Sequence, residues 1–93
     1  MQLTNESRFS RSPEVVFQEI SGETILLDLK AEHYYGLNDV GGRFWELAGE
    51  GLAFSLIVST MGSEFDVSED QLRADLTELI EDLRVQELLT FSE

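Results

Sequence analysis

The segment "HYYGLNDVGGRFWEL", residues 33–47, changes periodicity halfway along its length. Up to Asn38 it alternates, with His33, Tyr35 and Leu37 on one side of an extended chain and Tyr34 and Gly36 on the other. From Asp39 onward the apolar residues Val40, Phe44, Leu47 and Ala48 recur at helical spacing. Asn38 suits a helix N-cap, and Asp39 suits the positive end of the helix dipole. A strand therefore passes into a helix with no loop between them, and "Gly49-Glu50-Gly51" ends that helix. Phe44 and Trp45 are expected in the core. Gly41 and Gly42 each weaken a helix start by about 1 kcal/mol relative to alanine. Close packing of the helix start against a sheet is the expected reason, with at least Gly41 at a point where a Cβ would clash.

Upstream, "EVVFQEI" (14–20) is rich in β-branched and aromatic residues and reads as a strand. "Ser21-Gly22-Glu23" is a turn, and "TILLDLK" (24–30) places Ile25, Leu27 and Leu29 on one strand face. "Ala31-Glu32" leaves room only for a tight connection to the strand at 33–38. Three short strands with short turns make an antiparallel meander. Residues 1–12 are polar and are expected to be a flexible N-terminal segment ahead of Pro13, the only proline.

Downstream, "AFSLIVSTM" (53–61) reads as a second helix ended by Gly62. "Ser68-Glu69-Asp70-Gln71" resembles a capping box, with Ser68 as cap and Gln71 reaching back. Leu72, Leu76, Leu79 and Leu83, with Ile80 alongside, then give an amphipathic third helix over 68–84. "Leu88-Leu89-Thr90-Phe91" closes the chain as a short apolar tail. The expected class is α+β and winged-helix-like: a three-stranded antiparallel sheet followed by three helices, in one domain over 13–91.

Composition narrows the function. Six basic residues against nineteen acidic ones give a net charge of −13. Nucleic-acid binding relies on Lys and Arg neutralising phosphates, so neither a nucleic-acid partner nor an anionic membrane is expected. The third helix carries Arg73 and Arg84 among Asp70, Asp75, Glu78, Glu81 and Asp82, which would repel duplex DNA. There is no cysteine, which excludes thiolate catalysis and fits a reducing compartment. The N-terminus has no apolar signal core, so a cytoplasmic location is expected. A single histidine precludes a multi-histidine metal site, and His33 either packs on its strand or hydrogen-bonds a ligand. "AGEGLAF" lacks the spacing and the lysine of a phosphate-binding loop. No catalytic residue, metal or cofactor is expected, and the chain does not read as an enzyme.

The run "ILLDLKAEHYYGLNDVGGRFWEL" resembles the signature of the PqqD-like RiPP precursor-recognition elements, through Tyr34, Tyr35, Leu37, Asn38, Gly41, Phe44 and Trp45. Asp75, Ile80 and Leu83 match the family's later helix. "Val85-Gln86-Glu87-Leu88-Leu89" departs from its frequent glycine before the final leucines. The chain is most similar to the stand-alone recognition half of a split lasso-peptide B protein. That resemblance implies a peptide chaperone that binds the leader of a precursor peptide and delivers it to a separate leader peptidase, with a macrocyclase acting afterwards. The PqqD protein itself, which presents a peptide to a radical SAM enzyme, is the alternative implied. A structural activator subunit that never touches substrate is a further one. Relatives associate through exposed strands, which leaves a homodimer open.

The architecture suits strand addition. A third strand at the sheet edge has unpaired N–H and C=O groups for an extended peptide, and the third helix forms the opposite wall. The candidate peptide-binding residues are Glu32, His33, Tyr34 and Tyr35 on the strand side. On the helix side they are Leu76, Leu79, Ile80 and Leu83, with Asp75 and Asp82 on the rim. Tyr34 is the leading strand candidate because it faces away from Leu37, which is assigned to the core; Tyr35 fits either core or groove. At least half of the leucine stripe is needed for packing against the sheet and first helix.

Overall fold

The structure, a computed structural model, describes residues 2–92. In chain order it contains β1 (Phe9–Arg11), β2 (Val15–Ile20), β3 (Glu23–Asp28), β4 (His33–Leu37), α1 (Asp39–Gly49), α2 (Phe54–Glu64), α3 (Glu69–Val85) and β5 (Leu89–Phe91). The strand expected at 33–38 is β4, the edge of an antiparallel sheet of order β2-β3-β4. The meander and three helices follow the sequence reading closely. Among the described residues no helix is long and apolar enough to cross a membrane.

The β2–β3 loop is Ser21-Gly22, both at positive φ (52° and 85°), as a two-residue type I′ hairpin requires. Such a loop makes Ile20 and Glu23 a hydrogen-bonded pair, and the Leu29 N–H donating to the Glu14 carbonyl at 3.0 Å carries the same parity to the far end. On β3 the intervening residues Thr24, Leu26 and Asp28 therefore bond across to Leu37, Tyr35 and His33. The β3–β4 loop is held by Asp28, whose carboxylate accepts the N–H groups of Lys30 and Ala31 (3.0 and 3.1 Å). Glu32 closes that loop at φ 60°.

The face of β3 that carries Ile25 and Leu27 is not the one the sheet buries. Thr24, Leu26 and Asp28 point inward, whereas Ile25 and Leu27 share the outward face and Leu29 lies beyond the strand. α1 covers the inner face. Its start approaches β3 and β4 so closely that a Cβ on Gly42 would stand 2.6 Å from Thr24 Oγ1, and one on Gly41 would stand 3.3 Å from Leu37. Gly42 is thus the stricter requirement of the pair. Asn38 caps α1 through the Gly41 N–H at 2.9 Å.

Phe44 and Trp45 are fully buried, as expected, with Ile57, Val58 and Met61 of α2 and Leu72, Leu76, Ile80 and Leu83 of α3. α2 runs through Gly62 to Glu64, and a Cβ on that glycine would stand 3.3 Å from Glu69 Cγ at the start of α3. Ser68 caps α3 by accepting the Gln71 N–H at 3.2 Å. The return arm of the capping box is absent, since the Gln71 amide donates to Asp75 instead (2.8 Å).

Residues ahead of Pro13, expected to be flexible, are instead tied to the domain; Met1 lies outside the described residues. β1 pairs with β5, setting Phe9 opposite Phe91, so the terminal apolar tail is a strand. Phe9 is buried edge-on against Phe44, with ring centroids 5.2 Å apart. The carbonyls of Ser7 and Asn5 accept the N–H groups of Phe54 and Ser55, satisfying an α2 N-terminus whose cap, Ala53, has no side-chain acceptor. The Arg11 guanidinium lies over the rings of Phe17 and Trp45, at 4.8 and 5.4 Å.

Candidate peptide-binding groove

Ladder parity fixes what the open edge of β4 offers. Tyr35, Leu37 and His33 spend their backbone groups on β3, so the N–H and C=O groups of Tyr34 and Gly36 turn to the free edge. Beside that edge is a cleft of about 480 Å³, lined by Tyr35, Gly36 and Leu37 on one wall and by Asp75, Leu76 and Leu79 on the other. A sheet edge and a helix thus face each other across open space.

α3 divides its residues between two jobs. Leu72, Leu76, Ile80 and Leu83 form the buried face. Asp75, Leu79 and Asp82, at steps of four and three, form the adjoining stripe, with Leu79 half-buried and both aspartates exposed. Of the four helix positions expected at the groove, Leu76 forms its floor and Leu79 its wall, while Ile80 and Leu83 are core residues that do not line the cleft. Asp75 lines the cleft, its carboxylate also holding the Gln71 amide, whereas Asp82, two turns further along α3, is exposed and is not among the lining residues.

The two tyrosines separate by face. Tyr34 is 74% exposed on the outer face of the sheet, opposite Leu27, so only its backbone is presented to the cleft edge. Tyr35 is half-buried on the inner side and lines the cleft. Burial first, and then the negative charge of Asp82, push the Tyr35 phenol above its ordinary value. Tyr35 therefore remains a protonated hydrogen-bond donor at neutral pH, in the electrostatic field of Asp82. Glu32 and His33 lie at the other end of β4. His33 there borders a second, larger depression of about 940 Å³ with Lys30 and Arg84, near the C-terminal end of α3.

Six lining residues were not among the peptide-binding candidates: Glu23, Gly36, Leu37, Asn38, Val40 and Gly41. Gly36 carried a signal, since a glycine inside a strand marks a place where another backbone can approach. Glu23 and Asp75 are the charged residues lining the cleft, and both are acidic. Among the described residues no cluster of three or more His, Asp or Glu is placed to hold a metal.

Comparison with known proteins agrees with this architecture. Residues 23–89 match the family model of coenzyme PQQ synthesis protein D (PqqD). The structure is similar to that of TbiB1 in complex with the TbiA(β) leader peptide, with a TM-score of 0.78 and 35% identity, covering 85% of this chain and 92% of that one. It also shares its fold with lasso peptide synthetase B1 complexed with the leader peptide, at a TM-score of 0.81 and 20% identity, over 89% of this chain and 98% of the other. No match was found among curated proteins. With the model match spanning most of the chain and TbiB1 alike in both sequence and fold, the chain belongs to the PqqD family, and its fold is that of the PqqD-like RiPP recognition elements.

Proposed function

We propose that this protein is a non-catalytic adaptor of lasso-peptide biosynthesis that binds the leader segment of a ribosomal precursor peptide. The leader adds as a strand to the edge of β4 and lies against α3, and the adaptor delivers it to a separate leader peptidase ahead of a macrocyclase. The observation that carries this reading is the open β4 edge, with Tyr34 and Gly36 backbone groups turned to a cleft walled by Leu79, in a family member similar to a solved leader-peptide complex. Backbone pairing supplies affinity with little sequence choice, and the cleft side chains supply the choice. The exposed flank of α3, about 25 Å for its 17 residues at ~1.5 Å each, matches roughly eight extended peptide residues at ~3.3 Å each.

The test is a titration of a fluorescent synthetic leader, read by anisotropy. Saturable binding that is lost when the leader is scrambled supports the adaptor; no binding at tens of micromolar refutes it. The family match to PqqD favours one second reading, in which the peptide is presented to a radical SAM enzyme. Exchange of the candidate leader for the precursor of such a system distinguishes the two. We place the protein in the cytoplasm and assign it no cofactor.

A further inference from the structure

The parity that orients the sheet edges also defines an outer face pointing away from the helices. Val16 and Ile20 on β2, Ile25 and Leu27 on β3, and Tyr34 on β4 all lie on it, with Val16, Leu27 and Tyr34 opposite one another in a single cross-strand row. Val16 is 48% exposed, Ile20 52% and Leu27 41%, and these side chains line a shallow depression of about 410 Å³. Gln18, opposite Ile25, also lines it, and a mainly apolar depression at the centre of a sheet face is a candidate interaction site. The charges around it are predominantly acidic, with the exposed Lys30 of the β3–β4 loop the basic exception. Glu23 lies at one end of the β2–β3 hairpin and Glu14 and Glu32 at the other, all exposed and none in an ion pair among the described residues.

We propose that this outer face is the docking surface for the enzyme that receives the precursor, whose complementary surface is an apolar centre ringed by Lys and Arg. The charge argument counts against a second copy as the occupant: facing two such surfaces would set Glu14 and Glu23 against acidic residues on chains of net charge −13. Area points the same way. Three strands ~4.8 Å apart and about six residues long at ~3.3 Å each present roughly 300 Å², against the ~800 Å² per partner of a standard stable interface. A contact of that size suits an adaptor that must dock and release. The leader cleft lies on the inner side of β4 and shares with this face only Glu23 at the hairpin end, so the two surfaces can be disrupted separately at Val16, Leu27 or Glu14. The identity of the partner as the leader peptidase rests on the function proposed above; the chemistry of the surface does not.

The test measures two affinities of the full chain in parallel: leader peptide by anisotropy, and purified leader peptidase by calorimetry. Val16→Asp and Leu27→Asp are expected to weaken peptidase binding by about tenfold or more, with leader affinity unchanged. Should either variant fail to fold, Glu14→Lys decides: its peptidase affinity is expected to fall severalfold at low salt and to converge on wild type at high salt. Peptidase binding equal to wild type in the folded variants overturns the proposal, as does a wild-type chain that binds no peptidase. Self-association of wild type, lost in Leu27→Asp, would overturn it in favour of a second copy. Loss of leader binding in wild type with peptidase binding retained would instead refute the adaptor function and leave the docking surface standing.

Discussion

Tyr35 on β4 and Asp82 on α3 are electrostatically linked: burial first, and then the Asp82 carboxylate, raise the pKa of the phenol. Two residues 47 positions apart by numbering, one from the sheet and one from the helix, therefore share one electrostatic site. Removing the charge in Asp82→Asn is expected to lower the Tyr35 pKa toward its ordinary value while leaving the burial contribution. Ultraviolet titration of the phenol checks this, and an unchanged titration would separate the two residues. The sign for stability follows: the folded pKa is raised above the ordinary 10.0, so the contribution is fully present below pH 10 and is lost as pH rises through the folded value.

Leu79 and Leu76 neighbour each other in the cleft but differ in role. Leu79→Asp leaves the buried face of α3 intact and is expected to cut leader affinity by about tenfold or more, with circular dichroism unchanged. Leu76, only 1% exposed, is a core residue, and Leu76→Ala is expected to cost about 2–5 kcal/mol in urea denaturation. Equal leader affinity in Leu79→Asp and wild type would remove α3 from the groove.

Strand addition depends on backbone groups, and Tyr34 permits a clean contrast. Its N–H faces the open edge, so Tyr34→Pro deletes a donor that β3 does not use. Leader binding is expected to fall far more in Tyr34→Pro than in Tyr34→Ala, which keeps the donor and loses only an outward side chain. Equal losses in both variants would assign the effect to the ring.

The cleft is lined by Glu23 and Asp75 and adjoined by Asp82, so a leader with basic residues is attracted there. Its affinity is expected to decrease as ionic strength rises, and Asp75→Asn is expected to flatten that slope in an anisotropy series. An affinity constant from low to high salt would eliminate the electrostatic contribution.

The helix start tests the packing directly. Gly42→Ala sets a Cβ 2.6 Å from Thr24 Oγ1, and the strain is expected to exceed the helix-propensity gain, for a net loss of about 1–2 kcal/mol. Thr24→Ala in the same chain is expected to relieve part of it, as thermal denaturation would show.

Local signals were legible in the sequence where they decided structure locally. The switch of period at Asn38, the Ser68 cap and the glycines after α1 all predict elements that the structure contains. The polarity of the sheet was not legible, because its buried face on β3 carries Thr24 and Asp28 while leucine and isoleucine point outward. Asp28 tolerates that position by turning its carboxylate to loop N–H groups, a bond that hydropathy cannot express. The β1–β5 pair escaped for a different reason: its strands have three residues each and join the two ends of the chain, so neither shows a pattern by itself. At the groove, the sequence reading put Leu76, Leu79, Ile80 and Leu83 together, with Asp75 and Asp82 on the rim. Only tertiary packing assigns Ile80 and Leu83 to the core and turns the Tyr34 side chain to the outer face.

The most direct test of strand addition is amide hydrogen exchange, followed residue by residue by NMR with and without saturating leader. The account predicts that the Tyr34 and Gly36 amides slow markedly on binding, while those of Phe17 and Glu19, on the open edge of β2, exchange as before. Leader binding that protects neither Tyr34 nor Gly36, or that protects the β2 edge instead, would contradict it.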